Sequence, residues 1–320
     1  ETDCIDCVLG KFSVVVGSDT VLDCSNCPVG QYVALAGSDD LSDCIACPLG
    51  KYSIVDGSET SSDCIDCIAG KYINVVGSDS PTDCIACPIG QYLDSSGNDD
   101  IADCIECIAG KYIDVIGSDQ DSDCIVCPLG KYLDSSGNGH LEDCIDCVVG
   151  KYIDVTGSNA ASACIDCVVG KWLGTVGNDN LDDCIDCIAG KFLAVTGSDE
   201  NDDCIVCPLG KYSTVVGSGS NGLDCIECFV GKYIDVTGSD QPEDCIDCPA
   251  GKYLESTGND AVADCIDCIA GKYVEVLGSD QETDCIDCVL GKFSVVVGSH
   301  SAASCGNCPI GAFLQSVGND

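Results

Sequence analysis

Thirty-two cysteines, set as sixteen Cys-x-x-Cys pairs, are the groups in this chain whose number and spacing could do chemistry. The pairs recur every 20 residues from Cys4/Cys7 to Cys305/Cys308, with one inserted residue between Cys207 and Cys225. Three chemistries use such pairs. A dithiol oxidoreductase needs one pair with a depressed pKa at a helix start, and sixteen equivalent copies without helical periodicity do not meet that need. Thiolate metal binding fits the spacing better. Cys-x2-Cys-x16-Cys-x2-Cys lies within the zinc-ribbon range, so a cysteine-based metal-binding repeat protein is one reading. Equal spacing, however, offers no natural pairing of corners into four-thiolate sites. Disulfides are the third chemistry, and a cysteine content of one residue in ten is the composition of a disulfide scaffold.

Other candidate sites are weaker. Asp119-Gln120-Asp121-Ser122-Asp123 begins like a calcium loop, but Cys124 and Gly130 stand where the turn glycine and the bidentate Glu belong. Weak calcium binding by acids near the turns is the most this supports, and no other cofactor is expected. His140 and His300 stand alone in turn positions, so the chain reads as a non-enzyme. Ser95, Ser96, Ser135 and Ser136 near the turns are candidate carriers of O-linked sugars.

A 20-residue period means an array and not a conventional core. The consensus is Asp-Cys-Ile-x-Cys-(Pro/Val/Ile)-x-Gly-Lys-Tyr-x-x-x-x-Gly-(Ser/Asn)-Asp-x-x. Two glycines per repeat mark turns or positive φ. The six residues between them, such as Lys71-Tyr72-Ile73-Asn74-Val75-Val76, have the composition of a short strand. The expected unit is that strand, a turn, a second short extended piece and the cysteine corner. The fold class is therefore small disulfide-rich repeats, mostly short β and turns, in an elongated solenoid-like rod of sixteen units. Sixteen of the seventeen aromatics share one position, from Phe12 to Phe313, and each is expected to cap its own disulfide loop. Each of the thirteen cations is a Lys just before that aromatic, placed to pair with a nearby Asp.

Two longer periods lie over the first. In the middle of the chain, repeats with Tyr92-Leu93-Asp94-Ser95-Ser96-Gly97-Asn98 alternate with repeats like Tyr112-Ile113-Asp114-Val115-Ile116-Gly117-Ser118. A 40-residue alternation gives a rod one side more apolar than the other, suited to packing against a copy. Residues 1–18 are also identical to 282–299, so a higher-order unit of 1–281 starts again at 282–320. The chain reads as a stretch of something longer.

Net charge is −41 with no Arg. That repels phosphate backbones, so nucleic acid is not an expected partner. No apolar run has the length to insert in a membrane. Dense cysteine in an acidic chain places it outside the cell or at its surface.

The residues also carry a resemblance. Cys47-Pro48-Leu49-Gly50-Lys51-Tyr52 and Cys127-Pro128-Leu129-Gly130-Lys131-Tyr132, each followed by a Gly-(Ser/Asn) turn and Asp-Cys-x-x-Cys, resemble the cysteine-rich repeat of ephrin-receptor-like and tumour-necrosis-factor-receptor-like ectodomains. Long uniform arrays of this kind also look like those in large algal and protist surface proteins. The resemblance implies that the second Cys of a corner closes on the first Cys of the next. The implied bonds are Cys7–Cys24, Cys27–Cys44 and Cys47–Cys64, onward to Cys288–Cys305, leaving Cys4 and Cys308 for continuation or an inter-chain bond. A crossed scheme, Cys4–Cys24 with Cys7–Cys27, would instead use every cysteine. The expected function is structural, a self-associating rod in an extracellular filament or surface hair. The alternative is the stalk of an adhesin or receptor.

Overall fold

A computed structural model describes residues 4–220 and 223–320. The chain divides into two compact units, Glu1–Cys147 with Ile153–Ala163, and Val148–Tyr152 with Cys164–Asp320. Each is built from the same loop, repeated.

The loop from Cys67 to Cys84 shows the plan. Lys71–Tyr72 is a two-residue strand that pairs antiparallel with Ile85–Ala86 of the next corner. Every sheet among the described residues is such a two-stranded pair. The strand is shorter than the six residues expected, and the reason is where Ile73 sends its backbone. Its N–H donates to the carbonyl of Asn98, 3.1 Å away, and its carbonyl accepts from the N–H of Gly50 at 2.9 Å. The ladder ends because the backbone is stitched into neighbouring loops, which still satisfies its polar groups.

The corner itself is the second extended piece. The segment before it is a single 3-10 turn, Pro81–Asp83, where an extended stretch was expected. Asp fixes that turn. In the equivalent Leu41–Asp43 turn, Asp43 Oδ2 accepts from the backbone N–H of Asp39 at 3.0 Å and Asp40 at 3.1 Å. This satisfies donors that so short a turn cannot reach internally, and explains why Asp precedes the first Cys in fourteen repeats. The carboxyl of Asp63 is held below its ordinary range by the same bonds, from Thr60 and Glu59.

Loops contact both the next loop and the one after it. Gly77 N–H donates to Cys47 O at 2.9 Å, tying one turn to the corner that opens the preceding loop. Gly70, at φ +82°, lies so close to Gly117 two loops on that a Cβ would overlap the Gly117 carbonyl oxygen. Alternate loops therefore stack in columns, and the 40-residue alternation of the sequence assigns one residue type to each column. Among the described residues, no helix is long and apolar enough to cross a membrane.

Candidate functional site

The repeating site is a disulfide covered by a ring. Cys7 is bonded to Cys24, Cys27 to Cys44, Cys47 to Cys64, and Cys288 to Cys305, with Cα–Cα distances of 5.7 Å. Cys147 and Cys164 are also disulfide-bonded. Cys4, exposed, and Cys308, partly buried, are the free cysteines among the described residues. A sulfur held in a disulfide is not a thiolate ligand, and no three His, Cys, Asp or Glu side chains converge among the described residues as a metal site would need.

Along most of the array a bond is buried by its neighbour. Tyr72, from the Cys67–Cys84 loop, packs with Leu93 on the Cys87–Cys104 bond. Tyr112 packs with Leu133 on Cys127–Cys144, and Tyr233 with Leu254 on Cys248–Cys265. The ring thus covers the following loop's disulfide and not its own, which corrects the expectation of self-capped loops. A 20-residue loop has too little volume to enclose its own bond, and the stacking carries each ring forward. Cys87 and Cys127 have no accessible surface. Rings committed to this burial do not form a sugar-stacking face.

The residue after the ring was not singled out by sequence reasoning, yet from Val33 to Ser294 it is buried beside the disulfide. Ile73, Leu93, Ile113, Leu133, Ile153, Leu173 and Leu193 are at most 2% exposed. Its signal was present as an apolar residue at a fixed offset, masked by four loops with Ser there. Ser53 and Ser294 fill the slot by bonding to Ser58 and Ser299, 3.1 and 3.3 Å between hydroxyl oxygens.

Lysine finds its carboxylate across the strand pair. Lys51 Nζ lies 2.6 Å from Asp66 Oδ1, Lys131 2.7 Å from Asp146 and Lys171 2.9 Å from Asp186. These acids are the variable residue of the corner. Where that residue is Val126, Lys111 turns instead to Asp121 at 3.4 Å. Such part-exposed pairs contribute little individually. Glu227, at an equivalent corner, is held below the usual carboxylate range by the Thr257 hydroxyl and then by Lys211.

The acidic run at Asp119 is already engaged. Asp123 Oδ2 accepts from the N–H of Asp119 and Gln120 at 3.2 and 3.3 Å, the same turn cap as in other repeats. The serines proposed for sugars lie in turns where Asn98 and Asn138 donate back to Ser95 O and Ser135 O, each at 2.7 Å.

One column differs in character from the other. Ile68, Val75, Ile108 and Val115 are exposed in the first unit, and Ile188, Val195, Phe229, Val236, Ile269 and Val276 in the second, each between 57% and 70%. In the first unit the loops of the other column at 87–104 and 127–144 place Pro88, Ser95, Pro128 and Ser135 at those positions, and in the second the intervening loops place Pro208 with a part-exposed Val215, then Pro249 with Ser256.

A family model described as tyrosine-protein kinase ephrin type A/B receptor-like matches residues 17–64, 36–84, 58–104 and 70–124. The overlapping windows step along the chain with the disulfide loops. No curated protein matches the chain.

Proposed function

We propose, for a chain built from ephrin-receptor-like cysteine-rich repeats, a structural role as a self-associating, disulfide-stapled array in an extracellular filament or surface hair. Disulfide-dense repeats of this class are typical of extracellular or surface proteins. The observation that carries the reading is an exposed apolar column within each unit, Ile68/Val75 and Ile108/Val115 in one and the pairs from Ile188/Val195 to Ile269/Val276 in the other. Exposed apolar residues in register mark an interaction surface, and a copy of this chain has the same period. Cys4 and Cys308 belong to the same proposal as points of covalent continuation.

Copies carrying −41 charges repel one another, so association should strengthen with salt as the Debye length shrinks from about 30 Å at 0.01 M toward 8 Å at 0.15 M. Sedimentation of the oxidised chain should show salt-promoted assemblies. Ile68→Asp with Ile108→Asp should abolish them, and Ser95→Asp with Ser135→Asp on the other column should not. A chain that stays monomeric across that range, or equal effects from both double variants, would count against self-association. The family match equally suits a stalk in an adhesin or receptor, the second reading, which predicts monomers throughout.

A further inference from the structure

We propose that this chain is a tension-bearing tether whose covalent force path bypasses its folded loops. Disulfide connectivity alone carries this, independent of lateral association. In the first unit seven disulfides run in series from Cys7–Cys24 to Cys127–Cys144. In the second, seven run from Cys167–Cys184 to Cys288–Cys305. Each bond joins cysteines 17 or 18 residues apart in sequence and 5.7–5.9 Å apart in space. Successive bonds are separated only by the corner, three residue steps such as Cys84 to Cys87.

Tension applied along the chain therefore travels from corner to disulfide to corner. The loop between bonded cysteines is a side branch and carries none of it. A corner spans at most about 10–11 Å when fully extended. Adding the bridge, a repeat cannot exceed about 16 Å, whereas twenty free residues would reach about 70 Å. Hydrogen bonds and packing can fail under load without the chain lengthening beyond that ceiling. Burial beneath the preceding loop's ring, as at Cys87–Cys104 and Cys127–Cys144, keeps reductants from bonds that set the length. The function this fits is a spacer of fixed reach under flow or pulling, lengthened only by reduction.

The test is single-molecule stretching of the full chain between terminal tags, with Cys4→Ser and Cys308→Ser to prevent dimers. Oxidised, the contour length at high force should be about 16 Å per repeat, with no later steps. Added thiol or phosphine reductant should then release about 50–55 Å for each bond cleaved. Cys87→Ser with Cys104→Ser should lengthen the oxidised chain by one such increment, a covalent length that local misfolding does not mask. About 40 Å per repeat, the value for crossed pairing, or about 70 Å, the value for free thiols, would overturn the proposal. So would steps of about 50 Å without reductant.

Discussion

Gly70→Ala should loosen the array at that point far more than Gly291→Ala, although both glycines sit at nearly the same positive φ, +82° and +81°. The shared backbone cost of a side chain in the left-handed region is about 1–2 kcal/mol. At Gly291 nothing lies within 4 Å of an added Cβ, so that cost stands alone. At Gly70 the Cβ would overlap the carbonyl oxygen of Gly117, a backbone atom of a loop two repeats away. Overpacking of that kind adds about 1–3 kcal/mol. The cost falls on a local junction, because an array is stabilised unit by unit and contact by contact. Amide exchange reads it directly. Gly70 N–H donates to Leu93 O at 2.8 Å and Cys87 N–H to Gly70 O at 2.9 Å. Both protons should exchange at least about tenfold faster in the variant, the factor that a loss of about 1.4 kcal/mol produces. Equal exchange in the two variants would contradict the column contact.

Tyr112→Ala should have the other large effect, and its address is the informative part. Removing a buried ring costs about 3–5 kcal/mol. Because Tyr112 lies on Cys127–Cys144, that bond should become reducible under native conditions. Cys107–Cys124, which closes the loop containing Tyr112, is packed against Tyr92 and should stay protected. Partial reduction followed by alkylation and mass spectrometry identifies which cysteines are labelled. Labels on Cys107 and Cys124 would mean the ring covers its own loop.

The contrast between those two bonds shows what the sequence could and could not tell. The period, the paired glycines and the aromatic position are local patterns, and they mark the loop, its turns and its need for disulfides. Register between loops is not local. Nothing in Lys71–Tyr72 says that the strand stops after two residues, because Asn98 and Gly50 take the next backbone groups. Nothing in Tyr112 says whether it covers the disulfide of its own loop or of the next. The Asp before each corner reads in the sequence as a regularity, and its role as a turn cap emerges only once the N–H groups of Asp39 and Asp40 are seen to converge on Asp43. The buried position after the ring is hidden by its Ser variants, since Ser53 and Ser294 look like surface residues until a second Ser bonds them. The 40-residue alternation is visible in the sequence, and the close approach of Gly70 to Gly117 gives it a physical basis, because like loops stack on like.

Charge was legible in sign and opaque in detail. Lysine at one fixed position suggested an acidic partner. The partner is the variable corner residue of the following repeat, which is why Lys51 and Lys131 meet Asp66 and Asp146 while Lys111, facing Val126, reaches for Asp121.

Each loop is closed on itself by one disulfide and held to its neighbours by packing. Digestion without reduction, using a protease that cuts before Asp, tests this most directly. The Cys167–Cys184 and Cys248–Cys265 loops lie between Ile-Asp corners that such a protease opens at Asp166, Asp186, Asp247 and Asp267. Each loop, itself cut before Asp179, Asp182 and Asp183 or before Asp260 and Asp264, should be released as two peptides joined by its one disulfide. Fragments linking Cys164 to Cys184 or Cys167 to Cys187 would contradict the account.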